Sequence, residues 1–170
     1  RRGINLWPPL LFSGIRVESI SADWREMRVV LTKSRLTSNY FGTQFGGSMF
    51  AMVDPFFVIL LTRLLGPGYV VWDQRGEIDF VRPGRTALTA QLSIPAAEVD
   101  EIRAAAADGA KVLHWFACEL TDASGEVVAQ IRPQIYVRRK RDEQAAAWSP
   151  RKAPIPASTR CSISGPCRCI

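Results

Sequence analysis

Apolar and polar positions alternate along much of the chain, and the places where alternation stops divide it into elements. Residues 15–21, "IRVESIS", and 24–33, "WREMRVVLTK", alternate with a period of two and predict two strands joined by a tight turn at "SADW". Ahead of them, residues 3–13, "GINLWPPLLFS", are apolar with Pro8-Pro9 and predict a short capping segment or helix start. Residues 34–46 are rich in Ser, Asn and Gly and predict a loop. Residues 47–65 form a long apolar run read as one helix, stopped by Gly66-Pro67-Gly68.

Beyond that stop, residues 69–81, "YVVWDQRGEIDFV", predict a strand ending at "RPGR", 82–85. Residues 86–94 alternate again. Residues 95–110 open on Pro, carry acids in the first turn and end near Gly, which predicts an Ala-rich, mostly exposed helix. Residues 111–121, the turn "DASGE", and 127–139 predict a closing hairpin, with Pro133 marking an edge or a bulge in its last strand. A helix apolar almost all round must be wrapped by something. The expected fold is therefore α+β: two strands, a central helix, then about four strands with a helical insert, forming a curved antiparallel sheet around the helix. The expected domain is 1–141, and 142–170, which lacks periodicity, is expected to be a disordered tail.

Composition changes this picture little. With 170 residues, 47% of them hydrophobic, the chain can build one real core. The net charge of +6 invites a nucleic-acid reading, but residues 3–137 carry 12 basic and 14 acidic residues, while 138–170 carry 8 and 2. The basic charge sits at the ends, as in a solvated tail, and no nucleic-acid partner is expected. The best candidate for a membrane span, Phe56 to Leu65, is too short and holds Arg63, so no membrane is expected. No segment at the start reads as a signal peptide. Cys118 reads as a core thiol, and Cys161, Cys167 and Cys169 match no standard zinc spacing, so no metal is expected. The domain reads as cytoplasmic and reduced.

One carboxylate, Asp54, stands in the apolar run after Gly46-Gly47. A buried charge without a partner costs several kcal/mol. The order of elements, with "NYFGTQFGG" leading to Asp54, resembles the hot-dog fold thioesterases. Their pattern is N-x-x-G-x-x-H-G-G followed seven residues on by Asp or Glu; here Asn39, Gly42, Phe45, Gly46, Gly47 and Asp54 occupy those places. The "FVRPGR" of residues 80–85 is similar to a strand ending of that superfamily. The resemblance covers residues 3 to 140, and the sequence looks closest to a thioesterase-like branch. It departs from the pattern at Phe45, where the family has His, with Gln44 as the polar neighbour.

The resemblance implies a homodimer, or a dimer of dimers, with sites built across the subunit interface, and no cofactor. Gly46 and Gly47 would offer helix N-terminal N–H groups to a thioester carbonyl and to the oxyanion formed on attack; the alternative is a glycine pair needed for close packing. Asp54 would be the general base or the nucleophile, or a structural Asp paired with Arg63 or loop amides. Within one helix Gly47 and Asp54 are roughly 10 Å apart along the axis, too far to share one carbonyl, which favours a site completed by a second subunit. Pro55 inside that helix would kink it.

Asn39 would bond the carboxylate or the water, or order its own loop. Gln44 and Phe45 would border the substrate. Arg82 and Arg85 would meet the phosphates of coenzyme A, or be ordinary strand-end cations. Asp73 and Gln74 line the pocket or face solvent, with solvent favoured for one of them. His114, the sole His, has no motif partner for a triad. Met49, Phe50, Met52, Phe56 and Phe57 supply acyl-tunnel wall or plain core. The expected function is acyl-CoA or other acyl-thioester hydrolysis. Its rivals are an acyl-ligand binder without catalysis, favoured by Phe45, a dehydratase, which wants an Asp–His pair, and an interaction module with a basic tail.

Overall fold

The apolar run after residue 45 has to be covered on nearly every side, and the rest of the chain is arranged to do so. The computed structural model describes residues 2–140. Two short helices, α1 (Arg2–Asn5) and α2 (Pro8–Phe12), precede strands β1 (Ile15–Ile20) and β2 (Glu26–Leu31). Helices α3 (Gly46–Ala51) and α4 (Asp54–Leu65) lead to β3 (Tyr69–Phe80), β4 (Leu88–Ser93) and α5 (Ala96–Ala105). Three strands close the chain: β5 (Val112–Trp115), β6 (Cys118–Thr121) and β7 (Val127–Arg139).

All seven strands form one antiparallel sheet in the order β1-β2-β4-β6-β7-β3, with β5 also paired to β7. Alternation explains the covering. Along β7 the odd-numbered residues from Ala129 to Val137 are buried against the helices, while Gln130 and Arg132 face out. Phe56, Phe57, Leu60 and Leu61 of α4 are fully buried beneath the sheet, with Met27, Leu31, Leu92 and Leu120 around them. Phe57 stacks on Phe116, ring centres 4.7 Å apart. The α+β expectation and the sheet-around-helix arrangement match.

Four details differ from the sequence reading. The central helix is two helices, because Pro55 begins a helix rather than bending one. Pro is favoured in the first turn, where its missing N–H has no intrahelical acceptor anyway. Val53 adopts φ −120°, ψ −41°, and the joint is closed by the N–H groups of Met52 and Val53 donating to Ser48 O (3.1 Å) and Phe50 O (3.0 Å). Residues 111–121 likewise form two strands, parted at Phe116-Ala117. Pro133 then lies in the interior strand β7 rather than at an edge. Its carbonyl accepts from the N–H of Phe116 (2.9 Å), so its missing donor faces the gap between β5 and β6. The bulge next to it belongs to β3, at Gln74.

The fourth difference concerns length. Gly46–Leu65 spans 20 residues with a mean hydropathy of 1.7, long and apolar enough to cross a membrane, which corrects the expectation that no run reaches that size. The fold spends this segment on its core. Residue 141 and the expected tail, 142–170, with Cys161, Cys167 and Cys169, lie outside the described residues.

Candidate active site

The loop before α3 is organised by Asn39. Its Oδ1 accepts from the N–H groups of Phe41 (3.0 Å) and Thr43 (3.0 Å), and its Nδ2 donates to Thr43 Oγ1 (2.8 Å) and Gln44 O (3.3 Å). Gly42, at φ +74°, makes the turn a left-handed one that favours glycine. Every polar group of the Asn39 side chain is engaged in this loop, so within one chain Asn39 orders its own turn.

Gln44 is 1% exposed. Its Nε2 donates to the carbonyls of Thr86 (3.0 Å), Thr32 (3.3 Å) and Leu31 (3.5 Å), and its N–H donates to Gly84 O (2.8 Å). It thereby fastens the loop to the end of β2 and to the "RPGR" turn. Its Oε1 is buried and has no hydrogen-bond partner among the described residues.

Phe45 precedes α3 in an extended conformation, and its half-exposed ring lies over Gly47. A Cβ on Gly47 would come within 2.5 Å of Phe45 Cε1, and one on Gly46 within 2.9 Å of Phe80 Cζ. Both readings of the glycine pair therefore hold geometric content: two rings pack on backbone that only glycine leaves open, and the first N–H groups of α3 lack intrahelical acceptors.

Asp54 opens α4, half-buried, and burial pushes its carboxyl above the usual range. Arg63, its suggested structural partner, lies instead over the Trp24 ring at 4.9 Å, and no ion pair with Asp54 forms among the described residues. Asp73 of β3 is an exposed residue, and partial burial of its carboxyl, followed by the negative charge of Asp54, pushes it up to about 6. His114 is accounted for elsewhere: its Nε2 lies 2.7 Å from Glu98 Oε1 and ties β5 to α5.

A cleft of about 470 Å³ is lined by Asn39, Gln44, Gly46, Met49, Phe80 and Arg82, among others. Arg82 also pairs with Glu126. The single chain thus brings Asn39, Gln44, Gly46 and Arg82 together, with Phe45 and Gly47 adjoining Gly46. Asp54 and Arg85 are not among the lining residues. Met49, Met52, Phe56 and Phe57 are core. Sequence reasoning missed Phe80, the ring on Gly46, although it names the strand ending that the "F-x-R-P" likeness rests on.

This sheet wrapped around a helix is the hot-dog fold. The chain belongs to the family described as domain of unknown function DUF4442, whose profile matches residues 2–137. No curated protein matches the chain. Among solved structures it is similar to a Pseudomonas aeruginosa protein of unknown function described as a probable thioesterase, at 19% identity and TM-score 0.69, covering 75% of this chain and 85% of the other. A Haemophilus influenzae thioesterase aligns at 13% identity and TM-score 0.61, over 81% and 87% of the two chains. The Escherichia coli PaaI protein of the phenylacetic acid degradation operon aligns at 17% identity and TM-score 0.55, over 82% and 89%.

Proposed function

We propose that the protein is a thioester hydrolase acting on acyl-CoA or a similar acyl thioester, with Asp54 as general base or nucleophile. The observation that carries this reading is Asp54 itself: a half-buried carboxylate with a raised pKa and no cation paired with it among the described residues. As base, Asp54 takes a proton from water while the water oxygen bonds to the thioester carbonyl carbon. The oxyanion is held by N–H groups at Gly46 and Gly47, the C–S bond breaks, and the thiolate leaves with the proton. The products are a carboxylic acid and a thiol, and no cofactor is needed for the balance. The hydrolase labels carried by two of the similar structures support the same class.

The site is completed by a second copy of the chain. The cleft holds Gly46 and Arg82 but not Asp54. Among the described residues β3 is an edge strand of 12 residues with one side unpaired, a template for another strand. Antiparallel pairing of two β3 edges about a twofold axis near Gly76-Glu77 would set residue 73 of one copy beside residue 80 of the other. That brings each Asp54 side toward the other's glycine pair. Arg85 and Arg82 then serve the coenzyme phosphates, and a cytoplasmic setting fits the buried free thiol of Cys118.

A second reading, acyl-ligand binding without turnover, is favoured by the Phe45 ring over Gly47. Thiol release from short, long and aromatic acyl-CoAs separates the two. Release by wild type that falls on the order of 100-fold or more in Asp54→Asn, with dimer and fold intact, supports the hydrolase. Thermal stabilisation by the same ligands without release would replace it with the binder.

A further inference from the structure

Residues 6–12 are all apolar, and of them Leu10 alone is buried. Trp7 and Leu11 are half-exposed, and Phe12 is 80% exposed. The segment is nevertheless held firmly. Asn5 is clamped to β1, its Oδ1 accepting from the N–H of Val17 (2.8 Å) and its Nδ2 donating to Val17 O (3.0 Å). Leu10 belongs to the core. The outward apolar side is therefore part of the fold.

The loop after β2 extends the same surface. Gly14 O accepts from the N–H of Thr32 (2.9 Å) and from its hydroxyl (3.0 Å), and a Cβ on Gly14 would come within 2.7 Å of Thr37 Cγ2. Phe12 and Leu36 each stand within two residues of that contact. Leu36 is 95% exposed, and Tyr40, 98% exposed, meets Phe41 edge to face with ring centres 5.7 Å apart. Asn39 and Thr43 of this loop line the cleft described above. Exposed apolar surface gathered in this way marks an interaction site. Charge narrows the choice of partner. Neither residues 1–17 nor residues 27–53 contain an Asp or a Glu. Arg35 is exposed and has no partner among the described residues, and Lys33 donates to the Ser38 hydroxyl rather than to a carboxylate. Glu18, just beyond the first segment, is engaged by Arg16 and Arg28. Twofold pairing of this surface with itself would set cation against cation.

We propose that this surface, formed by α2 and the loop after β2, docks on an anionic phospholipid bilayer. The contact lies in the membrane surface and spans nothing. Trp and Tyr settle at the headgroup level, Phe and Leu reach the acyl boundary, and Lys33 and Arg35 meet the lipid phosphates. Docking does not depend on turnover. It would hold one wall of the cleft at the lipid surface, where a ligand with an acyl chain can pass between bilayer and protein.

The test is flotation of the full chain with vesicles of phosphatidylcholine alone and of phosphatidylcholine with phosphatidylserine. Wild type should float with the anionic vesicles and lose that binding as salt is raised. The double variant Phe12→Ser, Phe41→Ser should bind on the order of tenfold more weakly, and Arg35→Glu should weaken binding to a similar degree. All three sites are exposed, so the melting temperature should hold and the comparison remains one of folded proteins. Absence of flotation with anionic vesicles overturns the proposal. So does flotation that the double variant leaves unchanged, which would place the contact on the basic ends of the chain. A change of oligomeric state in the variants by sedimentation velocity, without vesicle binding by wild type, would assign the surface to a second copy instead.

Discussion

The ring of Phe50 rests on the backbone of Gly76, so closely that a Cβ there would lie 2.3 Å from Phe50 Cζ. This contact joins α3 to the middle of β3. Gly76→Ala should cost about 1–3 kcal/mol, as overpacking of a tight site does. Urea unfolding checks the loss, and Phe50→Leu added to it should return most of the stability.

Gln44 tests how the loop is fastened. Gln44→Met removes the donor to three carbonyls and should cost about 1–3 kcal/mol. Gln44→Glu places a carboxylate against those carbonyls, and the folded state should keep it protonated. Its stability deficit should be small below about pH 4 and grow to about 3 kcal/mol or more at neutral pH. Denaturant midpoints across pH read both effects.

Asp73 also predicts a pH dependence of stability. Its folded carboxyl titrates at about 6, above the unfolded value. The folded state therefore binds the proton more tightly, and this contribution is complete below about pH 4 and is lost as pH rises through 6. Asp54 acts with the same sign. Asp23 acts oppositely: the Ser21 hydroxyl and Arg25 hold its carboxyl down to about 2, so its contribution disappears only as pH falls through that value. Thermal midpoints should decline between pH 4 and 6 in wild type, and Asp73→Asn should flatten that decline.

Phe45 covers Gly47 from a largely exposed position, 54% accessible. Phe45→Ala should change stability by less than about 1 kcal/mol. It should raise kcat/KM severalfold by uncovering the Gly47 N–H. A fall instead would make the ring part of the substrate wall.

Cys118 should be inert in the native protein. Burial, followed by the charge of Glu119, pushes its thiol up to about 12. At pH 8 the thiolate is therefore scarce, and alkylation of the Cys118 peptide, followed by mass spectrometry, should be slow until denaturant is added.

Much of the fold was legible because two-residue alternation leaves a clear trace. β1, β2 and β4 fall inside the stretches where apolar and polar residues alternate, and α5 lies between its Pro and its Gly. The breaks at Met52-Val53 and Phe116-Ala117 were not, since both joints are built of apolar residues that carry no turn signal. Pro55 did carry one, as a residue suited to the first turn of a helix. In the site, the motif singled out Asp54 and the glycine pair. Gln44 as a loop fastener depends on carbonyls 12, 13 and 42 positions away in the chain, and no local pattern announces such a contact. The place of Asp73, opposite buried Ile135 yet itself exposed, depends on the register with β7 and on the bulge that follows.

β7 is also the last strand described, yet it pairs with β3, β5 and β6 and finishes the cover over α4. During synthesis the helix segment is complete at Leu65, while its final covering strand ends at Arg139. At ribosomal speeds of 5–20 residues per second, a nascent chain carries that apolar segment without its full cover for about 4–15 s. In that interval the chain presents a membrane-length apolar stretch, which makes the growing polypeptide, rather than the finished domain, the form most in need of a chaperone.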